Sequence, residues 1–439
     1  MRRRHVAAAM TRSCVVVGAG PAGLAAANRL AAHGVKVTVL EAAAAIGGRT
    51  RSERVGEFVV NTGAGFLTTF YDETLKLLAG LGIATAVPTP QLGVMATPFG
   101  KLELNLSSPR RILQFPLITM ASKLRTAAAL ARAALRGRTH MARPARLAWL
   151  DRGETIEQWG RRAMGDTAYE YLLRSGVEPF FYIGAEELSA ALGKALLRHA
   201  RGWQLLVVPD GMGALCEALA RGVEVRTGCH VGGLDIRDRS VEVRHAGGVL
   251  EADACILAAP ASAIAALEGP LAKEDRADVA AVRTMPSIVL YFGYERPLTV
   301  QYPLVTPAGP GRHPIARVRT WSALSPTSVP EGKELLAIHA MGWRSAELLD
   351  RDPSRIAAAL RADAEEVFGR LADPDWIRLY PRAEGTVVTA PGHYRRMHAF
   401  LKRPRTRLLY AGDWLTGSTI EGAVWSGLTA ADKFLRATS

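Results

Sequence analysis

The 439 residues are 49% hydrophobic and 22% charged, and 55 Lys and Arg against 41 Asp and Glu give a formal net charge of +14. That apolar fraction excludes a disordered chain, scattered Gly and Pro exclude collagen-like repeats, and no run of about 18 uncharged apolar residues predicts a membrane-spanning helix. The basic excess is mostly arginine and reads as a solvated surface, with no motif that points to nucleic acid.

Residues 1–11 are basic, with an apolar stretch too short for a secretory signal, and are expected to form a flexible extension. Cys14–Val17 is an apolar, β-branched run that predicts a strand buried on both faces. It enters the turn Gly18-Ala-Gly20-Pro21-Ala22-Gly23, followed by a predicted helix over Leu24–Ala32 and a strand over Val35–Leu40. Gly18 suits a tight turn, Gly20 lets backbone approach a diphosphate, and Gly23 lets helix and strand pack closely. The helix N-terminus offers amides and a positive dipole to that diphosphate. Glu41 lies 18 positions past Gly23, placed to accept hydrogen bonds from a ribose and to repel a 2′-phosphate. Further on, Gly47-Gly48-Arg49 offers backbone approach and a cation, and Gly63-Ala64-Gly65-Phe66 is another glycine turn.

Residues near 90–200 are mainly helical by periodicity. Arg110–Arg138 mixes Arg110, Arg111, Lys123, Arg125, Arg132, Arg136 and Arg138 with apolar residues, which suits either a helix packed on its own domain or one lying on an anionic membrane. Leu205–Leu219 reads as strand, turn and helix. Val223–Val231, a hairpin over Gly232–Leu250 and a strand over Ala254–Ala258 follow. Strands are predicted over Ser287–Tyr294, Ile315–Ser322 and Leu335–Met341, and a helix over Pro353–Leu371. Leu408–Ala411 is a further buried strand, leading through Gly412-Asp413 and Ile420-Glu421-Gly422-Ala423 into a helix over Val424–Leu435. Phe180, Phe181, Tyr182, Tyr291, Trp321 and Trp343 are candidates to line an apolar cavity. The four cysteines, Cys14, Cys216, Cys229 and Cys255, form no CxxC pair, so neither a metal site nor a disulfide framework is expected, and a reducing cytoplasm fits.

The GG-Arg segment, the Gly63–Phe66 turn and Gly412–Ala423 together resemble a superfamily of FAD-dependent oxidoreductases. It includes protoporphyrinogen oxidases, flavin amine oxidases and phytoene-type desaturases. Glu178-Pro-Phe-Phe-Tyr through Glu187-Leu188-Ser189 is most similar to the protoporphyrinogen oxidases. The resemblance implies an α/β fold with a discontinuous, Rossmann-like FAD-binding domain of the glutathione-reductase type (12–90, 200–268 and 386–439). An α+β substrate domain is inserted (91–199 and 269–385). It further implies non-covalent FAD held by Gly18, Gly20, Pro21, Ala22, Gly23, Glu41, Gly47, Gly48, Arg49, Gly63, Ala64, Gly65, Phe66, Val231, Gly412, Asp413, Ile420, Glu421 and Ala423. For Glu421 a plain N-terminal acid of the last helix is an equal alternative.

The implied reaction takes a hydride from an apolar small molecule to flavin N5 and leaves a double bond, with dioxygen or another acceptor taking the electrons. Two departures set amine or amino-acid oxidation second. Flavin amine oxidases usually carry a lysine near N5, yet none occurs between Lys273 and Lys333, and Thr419 stands where they usually place an aromatic residue. Polyene desaturation, with peripheral contact at the inner membrane surface, and a flavin-binding module without catalysis are the other readings. No second strand–GxGxxG–helix unit supports a bound nicotinamide, no cysteine follows Cys255 to tether the flavin, and no acid or base is nominated.

Overall fold

The computed structural model describes residues 12–88, 93–104, 114–137, 139–200, 202–299 and 304–437. Residues 1–11, Arg110, Arg111 and Arg138 therefore lie outside the described residues.

One five-stranded parallel sheet has the order Leu408–Tyr410, Ala254–Leu257, Ser13–Val17, Lys36–Leu40, Glu224–Arg226. Alternate side chains of its central strand enter different cores, Cys14 and Val16 on one face and Val15 and Val17 on the other. Helices Pro21–Ala31, Gly213–Ala220 and Ile420–Ala437 cover the first face. A Cβ on Gly427 would lie 2.0 Å from the Ala22 carbonyl oxygen, so the last helix crosses the first at backbone distance. The opposite core includes an antiparallel meander of Val231–Ile236, Val241–His245 and Gly248–Ala252. The hairpin expected over Gly232–Leu250 is thus corrected to three strands: Gly248 turns the chain once more at φ 129°. The last helix also starts four residues earlier than its apolar run, because the Thr419 hydroxyl accepts from Gly422 N at 2.9 Å and caps it.

A second, seven-stranded sheet takes strands only from 93–104 and 284–387. Its order is Trp376–Val387, Thr284–Tyr294, Glu334–Ala340, Ile315–Thr320, Leu304–Pro307, Gly93–Thr97, Gly100–Leu104. Helix Pro353–Phe368 buries Ile356, Leu360, Ala364 and Phe368 against one face, on Ile288, Leu290 and Phe292. The other face presents Val289, Tyr291, Leu335 and Ala337 to Phe58 and Val60 of the short ribbon that follows the GG segment. The two sheets are thereby held together.

The basic helix spans Met120–Leu135, with Arg125 and Arg132 exposed and Met120, Leu124 and Leu135 exposed beside them. Among the described residues no helix is long and apolar enough to cross a membrane.

Candidate active site

A cavity of about 700 Å³ runs from the carboxyl edge of the parallel sheet to the seven-stranded sheet, within the range of about 300–1,000 Å³ usual for ligand sites. Its first wall is the glycine turn. Gly18 adopts φ 104° with its N–H on the Leu40 carbonyl at 2.7 Å, and a side chain there would strike Ala258 O. Gly23 does not face the cavity; a Cβ on it would lie 1.9 Å from Gly18 O, so it is the close-packing glycine. Gly20 differs from both, since a Cβ on it would meet nothing within 4 Å. Pro21 and Ala22 open the helix beside it, whose Gly20 cap supplies no side chain to the first amides.

Glu41 closes the second strand. Its carboxylate accepts from Ala19 N at 2.7 Å and Ala43 N at 2.8 Å, which fixes it at the cavity rim with lone pairs to spare. The next turn packs on the first: a Cβ on Gly48 (φ 52°) would sit 3.5 Å from Gly20 Cα, and Gly47 N donates to Ala19 O at 2.8 Å. Gly47 itself lies behind the lining. Gly63 is packed on Arg49, whose carbonyl oxygen a Cβ would approach to 2.3 Å, while Ala64, Gly65 and Phe66 continue the wall.

The distant segments arrive at the same cavity. Val231 lines it with Cys229 and His230 at the end near Glu41. Gly412 and Asp413 line it from the turn after the last strand, and Thr419, Ile420 and Ala423 from the start of the last helix. Arg49 Nη2 binds Asp413 Oδ1 at 2.6 Å, and Arg49 Nη1 donates to Gly385 O at 3.2 Å. This cation therefore ties the GG segment to the chain's far end.

Glu421 lies elsewhere. Its fully buried carboxylate accepts from Glu73 N at 3.0 Å, Thr74 N at 2.9 Å and Thr74 Oγ1 at 2.8 Å, capping helix Asp72–Gly80. Burial pushes this carboxyl above the ordinary glutamate value.

Of the six candidate aromatics, Phe180 and Tyr182 line the cavity, whereas Phe181, Tyr291 and Trp321 fill cores and Trp343 stacks under Arg312. Tyr182 is the one non-glycine among the described residues at positive φ, 62°. The Glu178–Ser189 segment builds that turn. Glu178 accepts from Ala185 N at 3.0 Å, Tyr182 O accepts from Gly342 N at 2.7 Å, and Ser189 caps helix Ala190–His199.

Sequence reasoning missed Arg382, Glu384, Gly385 and Thr386, which reach the cavity from strand Trp376–Val387, and Ser287 and Val289 from strand Thr284–Tyr294. It also missed Arg317, Arg319 and His339, buried together behind Phe66 and Tyr182. A charged pair two residues apart inside a buried strand was the signal available for these.

A family model described as flavin containing amine oxidoreductase matches residues 21–435. The chain belongs to this family. Putrescine oxidase of Kocuria rosea is 46% identical over 77 residues, 18% of this chain and only 16% of that relative's length. Among solved structures, a putative protoporphyrinogen oxidase from Exiguobacterium sp. 255-15 superposes at TM-score 0.77 and 17% identity, covering 96% of this chain and 98% of its own. A triple mutant of putrescine oxidase superposes at TM-score 0.78 and 20% identity, covering 97% and 99%. These likenesses fix the fold, and family membership makes FAD the cofactor.

The residues present fit that cofactor. Gly20 leaves open space beside an uncapped helix N-terminus, as a diphosphate requires. Arg382, half-buried at the cavity with an unpartnered Nε, supplies cationic capacity beyond the Arg49–Asp413 pair. Burial, then Arg49 and Arg51 nearby, hold its pKa below the ordinary arginine value.

Proposed function

We propose that the chain oxidises an apolar organic molecule with FAD and leaves a double bond, in the manner of the protoporphyrinogen oxidases it resembles. Gly18, Gly20, Pro21, Ala22, Glu41, Gly48, Arg49, Val231, Gly412, Asp413 and Ala423 are assigned to the dinucleotide. The reading rests chiefly on the wall beyond them, made by Phe66, Tyr71, Phe180, Tyr182, Ser287 and Val289.

FAD, when bound, would supply a two-electron acceptor able to take a hydride from a substrate C–H bond, with loss of a proton from the substrate and dioxygen or another acceptor as the final oxidant. The chain's residues position and desolvate. Aromatic faces hold a flat apolar substrate against the cofactor's end of the cavity and exclude water, so that the reacting atoms meet in a fixed geometry. Tyr182, held in a strained backbone conformation, fixes one side of that chamber. Ser287 and Val289 occupy the strand where flavin amine oxidases usually carry lysine, and Thr419 stands where they usually place an aromatic residue. Both substitutions favour C–H oxidation over amine oxidation.

The test is anaerobic titration of the holoprotein with porphyrinogens, polyenes, amines and amino acids. An apolar class is expected to bleach the flavin band at ~450 nm while amines leave it unchanged. Bleaching by amines alone overturns the reading in favour of amine oxidation, and no bleaching by any member points to a flavin-binding module without catalysis.

A further inference from the structure

Arg317 and Arg319 stand two residues apart on strand Ile315–Thr320, so both side chains leave one face of the sheet. They are 3% and 1% exposed. Each guanidinium carbon lies 5.0 Å from the centre of the Phe66 ring, and that of Arg317 lies 4.9 Å from the Tyr182 ring. Phe66 and Tyr182 are both cavity wall. Arg317 donates from Nη1 to Pro179 O at 2.9 Å and from Nη2 to the Tyr182 hydroxyl. Its Nε, together with Nε and Nη1 of Arg319, is buried without a partner.

The ionisable groups facing the pair are Tyr182, Tyr291 and His339. His339 opposes Arg317 on the neighbouring strand and binds the Tyr182 hydroxyl through Nδ1 at 3.3 Å. Burial, then the two arginines, push its pKa well below the ordinary histidine value, so it stays neutral. Burial and Arg317 push the Arg319 pKa down to about 9, which leaves it protonated at neutral pH. Among the described residues no carboxylate pairs with either arginine, whereas the partly buried Arg174 has Glu170 and Glu178, and the partly buried Arg405 has Asp275.

Two like charges buried together without a counter-ion are among the costliest arrangements a core can hold. Removing either would relieve the protein, so their presence beside a ligand cavity calls for a negative charge that a ligand brings. The planar guanidinium fork matches a carboxylate in shape and donors.

We propose that Arg317 and Arg319 bind a carboxylate of the substrate, which is therefore an apolar acid with its hydrocarbon part along the aromatic wall. The proposal rests on the cavity being the place of flavin-dependent oxidation. Phe66, in contact with both guanidiniums and with the cavity, is the side chain that turns to admit the carboxylate.

The probe is benzoate, with benzyl alcohol as its neutral counterpart, added to the purified holoprotein while the flavin spectrum and the thermal midpoint are followed. Benzoate is expected to perturb the spectrum saturably and raise the midpoint, with benzyl alcohol about tenfold weaker or worse. Arg319→Met and Arg317→Met should each weaken benzoate by about tenfold or more, leave benzyl alcohol unchanged, and raise the midpoint of the ligand-free protein. Arg319→Lys should recover part of the benzoate affinity. Equal binding of the two probes, no saturable benzoate response, or unchanged benzoate affinity in the Met variants would overturn the proposal. Should a Met variant fail to fold, the comparison of probes on the unaltered protein still decides. A yellow protein that does not discriminate the probes loses the arginine assignment alone. A protein that refuses FAD loses the flavin reading, while the thermal shift, which needs no flavin, still tests the arginines.

Discussion

A side chain at Gly20 and one at Gly23 have opposite consequences, although both glycines belong to the same turn. At Gly20 a Cβ meets nothing within 4 Å, so Gly20→Val fills space assigned to the diphosphate without disturbing the fold. The expected outcome is a flavin content at least about tenfold lower in the purified variant, with the thermal midpoint of the unaltered apoprotein. At Gly23 a Cβ falls 1.9 Å from Gly18 O, where backbone must shift. Gly23→Ala is expected to cost about 1–3 kcal/mol or more in denaturant unfolding of the apoprotein. The difference between these two glycines was legible in sequence, because each answers a local backbone demand set within one turn. The role of Glu421 was not. Its partners, Glu73 and Thr74, lie far off in sequence, and only the packed fold shows that the carboxylate caps another helix instead of facing the cavity. Arg317 and Arg319 were likewise unreadable as a pair at the cavity until strand pairing placed them behind Phe66.

Helices and strands are joined here by a few buried charges, and these carry the expected responses to mutation and pH. Glu421→Ala removes three hydrogen bonds at the start of helix Asp72–Gly80 and leaves two amides, that of Thr74 buried, without acceptors. A loss of about 1–3 kcal/mol in unfolding free energy is expected, with faster amide exchange confined first to residues 72–80. Asp275 anchors helix Lys273–Ala280 to the segment after helix His393–Lys402, binding Arg403 Nη1 and Arg405 Nη2 at 2.7 Å each. Burial pushes this carboxyl up, yet the hydrogen bonds from Arg405 and Arg403 outweigh it and hold the pKa below the ordinary aspartate value. A lowered folded pKa means that the unfolded chain binds the proton more tightly. The stabilisation is therefore present above the unfolded value and lost as pH falls through the folded one. Asp275→Asn should flatten the dependence of unfolding free energy on pH below about pH 4; an unchanged acid limb would rule out this anchor. Element types followed well from periodicity, since buried β-branched runs and helical spacing are local. Edges followed less well: the start of the last helix depends on the Thr419 cap, and the third meander strand on a glycine turn at Gly248.

Across the whole molecule, three stretches each separated by more than about 150 residues meet at one cavity: the first two strands and their turns, the segment around Val231, and the last strand with its helix. The parallel sheet brings their carboxyl ends to one edge, and the Arg49–Asp413 bond closes the first stretch onto the last. This convergence makes the proposed dinucleotide site a property of the complete fold. The motifs foretold that these stretches meet because each glycine turn keeps its local geometry wherever it falls in the chain. The substrate end was less legible, since its wall mixes residues from strands and helices whose pairing no local pattern encodes. The most direct measurement is the visible spectrum of the purified protein, recorded before acid denaturation and again on the cleared supernatant. Bands near ~375 and ~450 nm are expected from about one FAD per chain, all of it released into the supernatant, because the proposed assignment holds the flavin by backbone and charged groups alone. A colourless protein that takes up no added FAD, or flavin that stays with the precipitate, would contradict it.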